Sequence, residues 1–296
     1  MVIQTRRSAR RRLTVIVAAV ALIAVLAVAV VMADHYWKND ISAPTTNTVA
    51  SAITTTDLIT VARTRVFFGH QSVGMNMLNA VPGIYAEHNV SAPPIEQGLA
   101  EAGADSGFIV HKYIGANTKP FLKIEDFDHT MRAGIGGEVD VAIMKFCSID
   151  ITSSADVDAI FARYRDTMAA LERDFPNVTF IHVTVPLTTD PDLLSKLKTM
   201  VKTVLGRPDQ FGRPDNAARE RLNELIRHEY RDRNLFDLAA VESTRPDGTR
   251  VSGRSGNQEF FALYDGYAAD RLHLNAFGST VAATGLLEAI AQASRK

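Results

Sequence analysis

The chain alternates short apolar runs with longer stretches in which apolar residues recur at helical spacing. Five runs read as strands: residues 65–69, 109–113, 139–145, 178–185 and 235–238. The run at 139–145 is Val-rich and bounded by acidic and turn residues, and the run at 178–185 is stopped by Pro186. Helical patterns occupy 72–88, 156–174, 216–231 and 279–291. In the third of these, Leu222, Leu225 and Ile226 share one face, and Pro176 follows the second where a helix should already have ended. Strand–helix alternation of this kind predicts an α/β domain with a parallel sheet covered on both faces. Sites in such sheets gather beyond the carboxyl ends of the strands. Ser72, the residues after Lys145 and the loop at Asp270 all fall there on this reading.

The first residues set the location. Arg6, Arg7, Arg10, Arg11 and Arg12 precede an uncharged apolar stretch at 13–33. That stretch is about long enough to cross ~30 Å of hydrocarbon as a helix. The arginines should stay cytoplasmic, which exports the rest of the chain to the periplasm or cell surface. The expected organisation is a basic tail at 1–12, a transmembrane signal anchor at 13–33, a flexible linker at 34–58 and a single domain at 59–296. The linker reading rests on the Ser, Thr, Ala and Asn of residues 42–56. A cleavable signal peptide is the alternative, since Met32-Ala33 precedes Asp34 and a small residue suits cleavage. The product would then be secreted.

Composition narrows the function classes. About 260 residues follow the apolar stretch, enough for one large core. The net charge of −1 offers nothing to nucleic acid. Cys147 is the only cysteine, so an exported domain has no internal disulfide, and the thiol reads as a small buried apolar group. The eight histidines are scattered without zinc spacing, so neither metal nor cofactor is expected. Asp126, Asp128 and His129 read as a solvated polar loop.

The chemistry is concentrated near the end of the chain. Asp270-Arg271-Leu272-His273-Leu274-Asn275-Ala276-Phe277-Gly278 places an acid and a histidine three residues apart, just before an apolar helical run. A carboxylate so placed can orient an imidazole, and the imidazole can take a proton from a nucleophile. Phe67-Phe68-Gly69-His70-Gln71-Ser72-Val73-Gly74 offers that nucleophile in Ser72, where a strand gives way to a helix. Each residue also has a plainer role available. Ser72 or Asp270 could cap a helix, His273 could be a surface histidine, and His70 could serve the backbone. Lys145 could line a site at a strand end or be solvated.

The Asp270-x-x-His273 block, followed by Leu274-Asn275 and a glycine-containing helix, resembles the SGNH (GDSL-type) hydrolase family. The resemblance spans roughly residues 65–291. It implies a flavodoxin-like three-layer α/β/α sandwich with about five mostly parallel strands and a serine just after the first. It also implies a Ser72–His273–Asp270 triad in an esterase without cofactor or metal. Two blocks depart from the family. Gly69-His70-Gln71-Ser72 stands where the family reads Gly-Asp-Ser, and Lys145-Phe146-Cys147-Ser148 stands where the family carries an oxyanion-binding asparagine. By the same resemblance, the oxyanion hole would comprise the Ser72 N–H, Gly115 of Tyr113-Ile114-Gly115-Ala116-Asn117, and Asn117 or Ser148 in place of the missing asparagine. The family and the inferred export imply an acyl, even O-acetyl, ester of a carbohydrate as substrate. Transfer of the acyl group to a sugar hydroxyl, or a non-catalytic polysaccharide-binding or assembly role on the same fold, are the alternatives.

Overall fold

The computed structural model describes residues 53–98, 107–190 and 212–295. Six strands form one sheet: β1 (Arg65–His70), β2 (Ile95–Gln97), β3 (Phe108–Tyr113), β4 (Val141–Met144), β5 (Thr179–Val183) and β6 (Leu235–Phe236). Their order is β2-β3-β1-β4-β5-β6, and every adjacent pair is parallel. The five expected runs are all present, the last shortened because Leu238 already belongs to a helix. The sixth strand, β2, is an edge strand of three residues with one apolar side chain, too short for alternation to reveal.

Side chains alternate across the sheet. Val66 and Phe68 of β1, with Ile143, Ile181 and Phe236, face one helical layer. That layer contains α1 (Thr55–Ala62), α2 (Val73–Glu87) and, from the end of the chain, Ala276–Ala293. Phe67, Val110, Ala142, Met144 and Phe180 face the other layer. It contains α3 (Pro120–Thr130), α4 (Val157–Asp174) and α5 (Arg213–Tyr230). The result is a three-layer α/β/α sandwich whose central strands are buried on both faces, as all-parallel sheets require. Besides short helical turns, the chain adds α6 (Leu238–Ser243) and the antiparallel hairpin of β7 (Ser252–Ser255) and β8 (Gln258–Phe261), and the closing helix Ala276–Ala293 is α7.

Three local readings change. The linker expected at 34–58 ends sooner, because α1 begins at Thr55 and Leu58 and Val61 are fully buried. A capping box starts it: Thr54 Oγ1 accepts the Asp57 N–H at 3.1 Å, and Asp57 Oδ2 accepts the Thr54 N–H at 2.9 Å. The Ser/Thr-rich composition obscured this amphipathic turn. Asp126, Asp128 and His129 lie on helix α3, which opens with Pro120 and buries Ile124 and Phe127. The β7–β8 hairpin was not anticipated. The proposed signal anchor at 13–33 lies outside the described residues, among which no helix is long and apolar enough to cross a membrane.

Candidate functional site

Strand β1 ends at His70 and α2 begins at Val73, so Gln71 and Ser72 make the whole strand-to-helix turn. The Gly74 N–H closes the turn onto Gln71 O at 3.1 Å. Ser72 sits at φ 50°, ψ −106°, close to the first central position of a type II′ turn, where glycine is the usual occupant. A non-glycine residue there is strained by ~1–3 kcal/mol. Ser72 occupies the N-cap position of α2, yet its hydroxyl makes no capping bond. Neither its hydroxyl nor its backbone N–H has a hydrogen-bond partner among the described residues.

The surroundings hold the strained turn in place. Gln71 Nε2 donates to Ile114 O at 3.0 Å and to Gly115 O at 3.1 Å, tying the turn to the loop after β3. The His70 ring lies against Gly74 so closely that a Cβ there would come within 2.4 Å of ring atoms. His70 Nε2 meets His111 Nδ1 at 3.1 Å. Burial, reinforced by the nearby Lys145 and His111, lowers the His70 pKa to about 2, so its ring is neutral. His70 therefore supports the Ser72 turn from beneath.

Asp270 and His273 meet in the loop before α7. Asp270 Oδ2 lies 2.7 Å from His273 Nδ1, and Asp270 Oδ1 accepts the N–H groups of Leu272 and His273, each at 2.8 Å. Partial burial pushes the Asp270 carboxyl up, but the bond to His273 and the two N–H donors outweigh it and hold the pKa below the ordinary value. Capping of α7 falls to Asn275, whose side chain accepts the Gly278 N–H at 2.8 Å. Asp270 is thus an orienting partner for the imidazole. With Nδ1–H directed at a carboxylate, the neutral ring presents its Nε2 lone pair outward.

Both segments lie at the carboxyl edge of the sheet. Ser72 directly follows β1, and Arg271 O accepts the Thr189 N–H from the segment after β5 at 3.1 Å. Val73 and Leu274 belong to the same apolar cluster, within which α2 and α7 pack side by side. No hydrogen bond joins Ser72 to His273.

The expected oxyanion donors fare differently. Gly115 adopts φ 54°, and its N–H donates to Asp126 Oδ2 at 2.7 Å, a carboxylate that also receives Lys112 Nζ at 2.7 Å. A charge-assisted bond of that length occupies the Gly115 N–H, so it is not offered to a substrate here. Asn117 is exposed, and its Oδ1 accepts Lys123 Nζ at 3.1 Å. Ser148 is buried in the turn after β4, and its carbonyl receives Arg219 Nε at 2.7 Å.

Beneath this edge lies a buried polar layer that periodicity did not reveal. Lys145 is fully buried at the end of β4 rather than solvated; its Nζ donates to Phe146 O at 2.9 Å and lies 3.9 Å from Cys147 Sγ. Burial depresses the Lys145 pKa. Cys147 is buried, as its solitary position suggested. Lys123 and Asp150, both fully enclosed, pair at 2.6 Å, and Asp150 also accepts the N–H groups of Cys147 and Thr118. Burial pushes the Glu242 carboxyl up to about 8, against the Leu187 N–H that one of its oxygens accepts at 2.6 Å. Lys123 had a legible signal, since its spacing to Pro120 and Phe127 puts it on the apolar face of α3. Gln71, Asp150 and Glu242 had none. Among the described residues no three His, Cys, Asp or Glu side chains gather as a metal site would require.

No family model and no curated protein matches the chain. Solved structures do. One is a protein from Streptococcus pneumonia provisionally named a platelet activating factor, 14% identical, covering 81% of this chain and 87% of its own, with a TM-score of 0.45. Another is a Bacteroides fragilis protein provisionally named an acylhydrolase, 12% identical, covering 84% of this chain and 100% of its own, with a TM-score of 0.46. At these identities and scores the likeness carries no functional inference.

Proposed function

We propose that the domain is an extracytoplasmic serine esterase that cleaves an acyl ester through Ser72, His273 and Asp270. The observation that carries this reading is the Ser72 turn. A polar residue is held in a costly conformation with its hydroxyl unused, which is how a nucleophile is exposed above a sheet. The preassembled His273–Asp270 pair on the same edge supplies the base. Catalytic contacts commonly tighten only when substrate binds, and the pair needs only to approach Ser72 to complete the relay.

In the reaction, His273 Nε2 takes the Ser72 Oγ proton as Oγ attacks the ester carbonyl. The Ser72 N–H and the Asn117 amide are the donors for the oxyanion, helped by the N-terminus of α2, which favours negative charge. The imidazolium, steadied by Asp270, returns its proton to the leaving alkoxide. Water, deprotonated by His273, then attacks the acyl-serine, and the imidazolium returns that proton to Ser72 Oγ as the bond to the acyl group breaks and the acid leaves. A fluorophosphonate probe should add one mass label to the peptide containing Ser72, and His273→Ala should greatly slow the labelling. Labelling at a different serine would refute the assignment. The commitment of the Gly115 N–H to Asp126 favours a second reading, a non-catalytic polysaccharide-binding protein on the same fold. Complete absence of labelling would support it.

A further inference from the structure

The turn that exposes Ser72 interrupts a hydrogen-bonded ladder, and one side chain mends the break. Strands β1 and β3 run parallel and in register as far as His70 and Tyr113. In a parallel ladder a residue bonds, through its N–H and its C=O, to two residues of the neighbouring strand that are two positions apart. Ile114 makes the first half of such a pair, its N–H donating to His70 O at 3.2 Å. A continued β1 would supply the second half, with the Ser72 N–H donating to Ile114 O. The chain instead turns into α2, and the Ser72 N–H has no partner among the described residues.

Ile114 is fully buried, so its carbonyl needs another donor. Gln71 provides it. Its Nε2 carries two protons and meets two carbonyls, Ile114 O at 3.0 Å and Gly115 O at 3.1 Å. These acceptors are held firmly. Gly115 lies at φ 54° against the first turn of α3, where a Cβ would come within 2.7 Å of the Lys123 nitrogen. The Gly115 N–H is fixed on Asp126 and the Thr118 N–H on Asp150. Gln71 itself is only half-buried, so its place in the molecule is not that of a core residue.

We propose that Gln71 is a positioning residue for the reaction: by occupying Ile114 O it keeps the Ser72 N–H out of the ladder and free for the oxyanion. The chemistry singles out glutamine. A carboxylate of the same length can only accept, and would face two carbonyls. Asparagine is shorter by one methylene and falls short of both. The purpose of the arrangement rests on the esterase reading above, while its geometry does not. Gln71 needs no contact with substrate to act in this way, because it works through the Ser72 backbone.

The test compares wild type, Gln71→Met and Gln71→Glu as full chains in detergent. Turnover of p-nitrophenyl acetate is one readout, and hydrogen exchange at the Ser72 amide is a second that needs no activity. Methionine keeps the length and removes both bonds; glutamate keeps the shape and reverses their polarity. Should Gln71→Met fail to fold, Gln71→Glu carries the comparison. In both variants Ile114 O is open and the Ser72 N–H falls back onto it, so exchange there should slow on the order of tenfold, as one added hydrogen bond implies. The kcat should fall on the order of 100-fold with KM little changed, as loss of one oxyanion donor implies. Slowed exchange in a protein that turns over no ester even as wild type would keep the role of Gln71 and sink the esterase reading. Exchange at Ser72 that is the same in all three proteins would overturn the proposal, whatever the kinetics. So would full turnover in Gln71→Met, or a raised KM at unchanged kcat, which would make Gln71 a substrate contact.

Discussion

Replacing Ser72 by glycine should make the domain more stable than replacing it by alanine, although both changes abolish activity. Alanine keeps the Cβ and therefore keeps the strain at φ 50°, ψ −106°. It removes a hydroxyl that has no hydrogen-bond partner among the described residues, so no bond is lost with it. Glycine occupies the same angles freely and releases roughly 1–3 kcal/mol. Against that stands the larger chain entropy that glycine loses on folding, about 0.5–1 kcal/mol. The difference in favour of glycine is then centred a little above 1 kcal/mol, within bounds of about 0–2.5 kcal/mol. For a domain of this size each kcal/mol moves the melting temperature by about 2–4 °C, so the two variants should melt roughly 2–5 °C apart. Urea unfolding of the two proteins side by side gives the same quantity from the midpoints, with equal slopes showing that the unfolded states are comparable. A glycine variant no more stable than the alanine variant would mean that the turn stores no strain, and the main support for Ser72 as nucleophile would fall.

Other outcomes follow from the same geometry. Asp270→Asn should slow ester turnover less than His273→Ala, because the imidazole remains but loses the carboxylate 2.7 Å from Nδ1; an equal loss would give Asp270 a role beyond orientation. The native His70 pKa of about 2 lies below the 6.5 of a free histidine, so the unfolded chain gains a proton below pH 6.5 that the native ring refuses. That stability is fully present above pH 6.5 and is lost on acidification, by about 1.4 kcal/mol at pH 5.5, with His111 and His182 shifted in the same direction. His70→Asn should flatten the fall measured by urea titration between pH 7.5 and 5.5, and an unchanged slope would contradict a neutral buried ring. Protease added to intact spheroplasts should remove the domain if residues 13–33 anchor it outside; full protection would end the export reading, and a soluble form starting near Asp34 would favour a cleaved signal.

The parts of this fold that were legible in the sequence are those with strong periodicity. The central strands are continuous apolar runs because both faces are covered, and each was found within a few residues. Ser72, His273 and Asp270 could be picked out because they adjoin such runs and lie close to element boundaries. Short or irregular pieces escaped. Strand β2 has a single apolar residue, and α1 hides its capping box in a Ser/Thr-rich stretch. The buried layer of Lys123, Lys145, Asp150 and Glu242 escaped for a different reason. Charged residues read as solvated one at a time, and only the three-dimensional pairing at 2.6 Å shows why two of them tolerate burial. The commitment of the Gly115 N–H likewise depends on Asp126, eleven residues away on a helix that was expected to be a loop.

The first and last helices of the domain close its chain into a near-ring. Arg295 meets Asp57 at 2.7 Å, and Thr64 Oγ1 meets Ser294 Oγ at 3.0 Å beside the start of β1. This clasp lies at the amino edge of the sheet, at the far ends of α2 and α7 from Ser72 and His273. The order in which the chain visits its elements is therefore separable from the chemistry. A circular permutant with these ends joined by a short glycine linker, and opened at the exposed Gly256-Asn257 tip of the hairpin, would keep both helices and both reactive turns intact. Such a molecule would carry its termini away from the amino edge, at the tip of the hairpin, while the sheet and its flanking helices stay as they are.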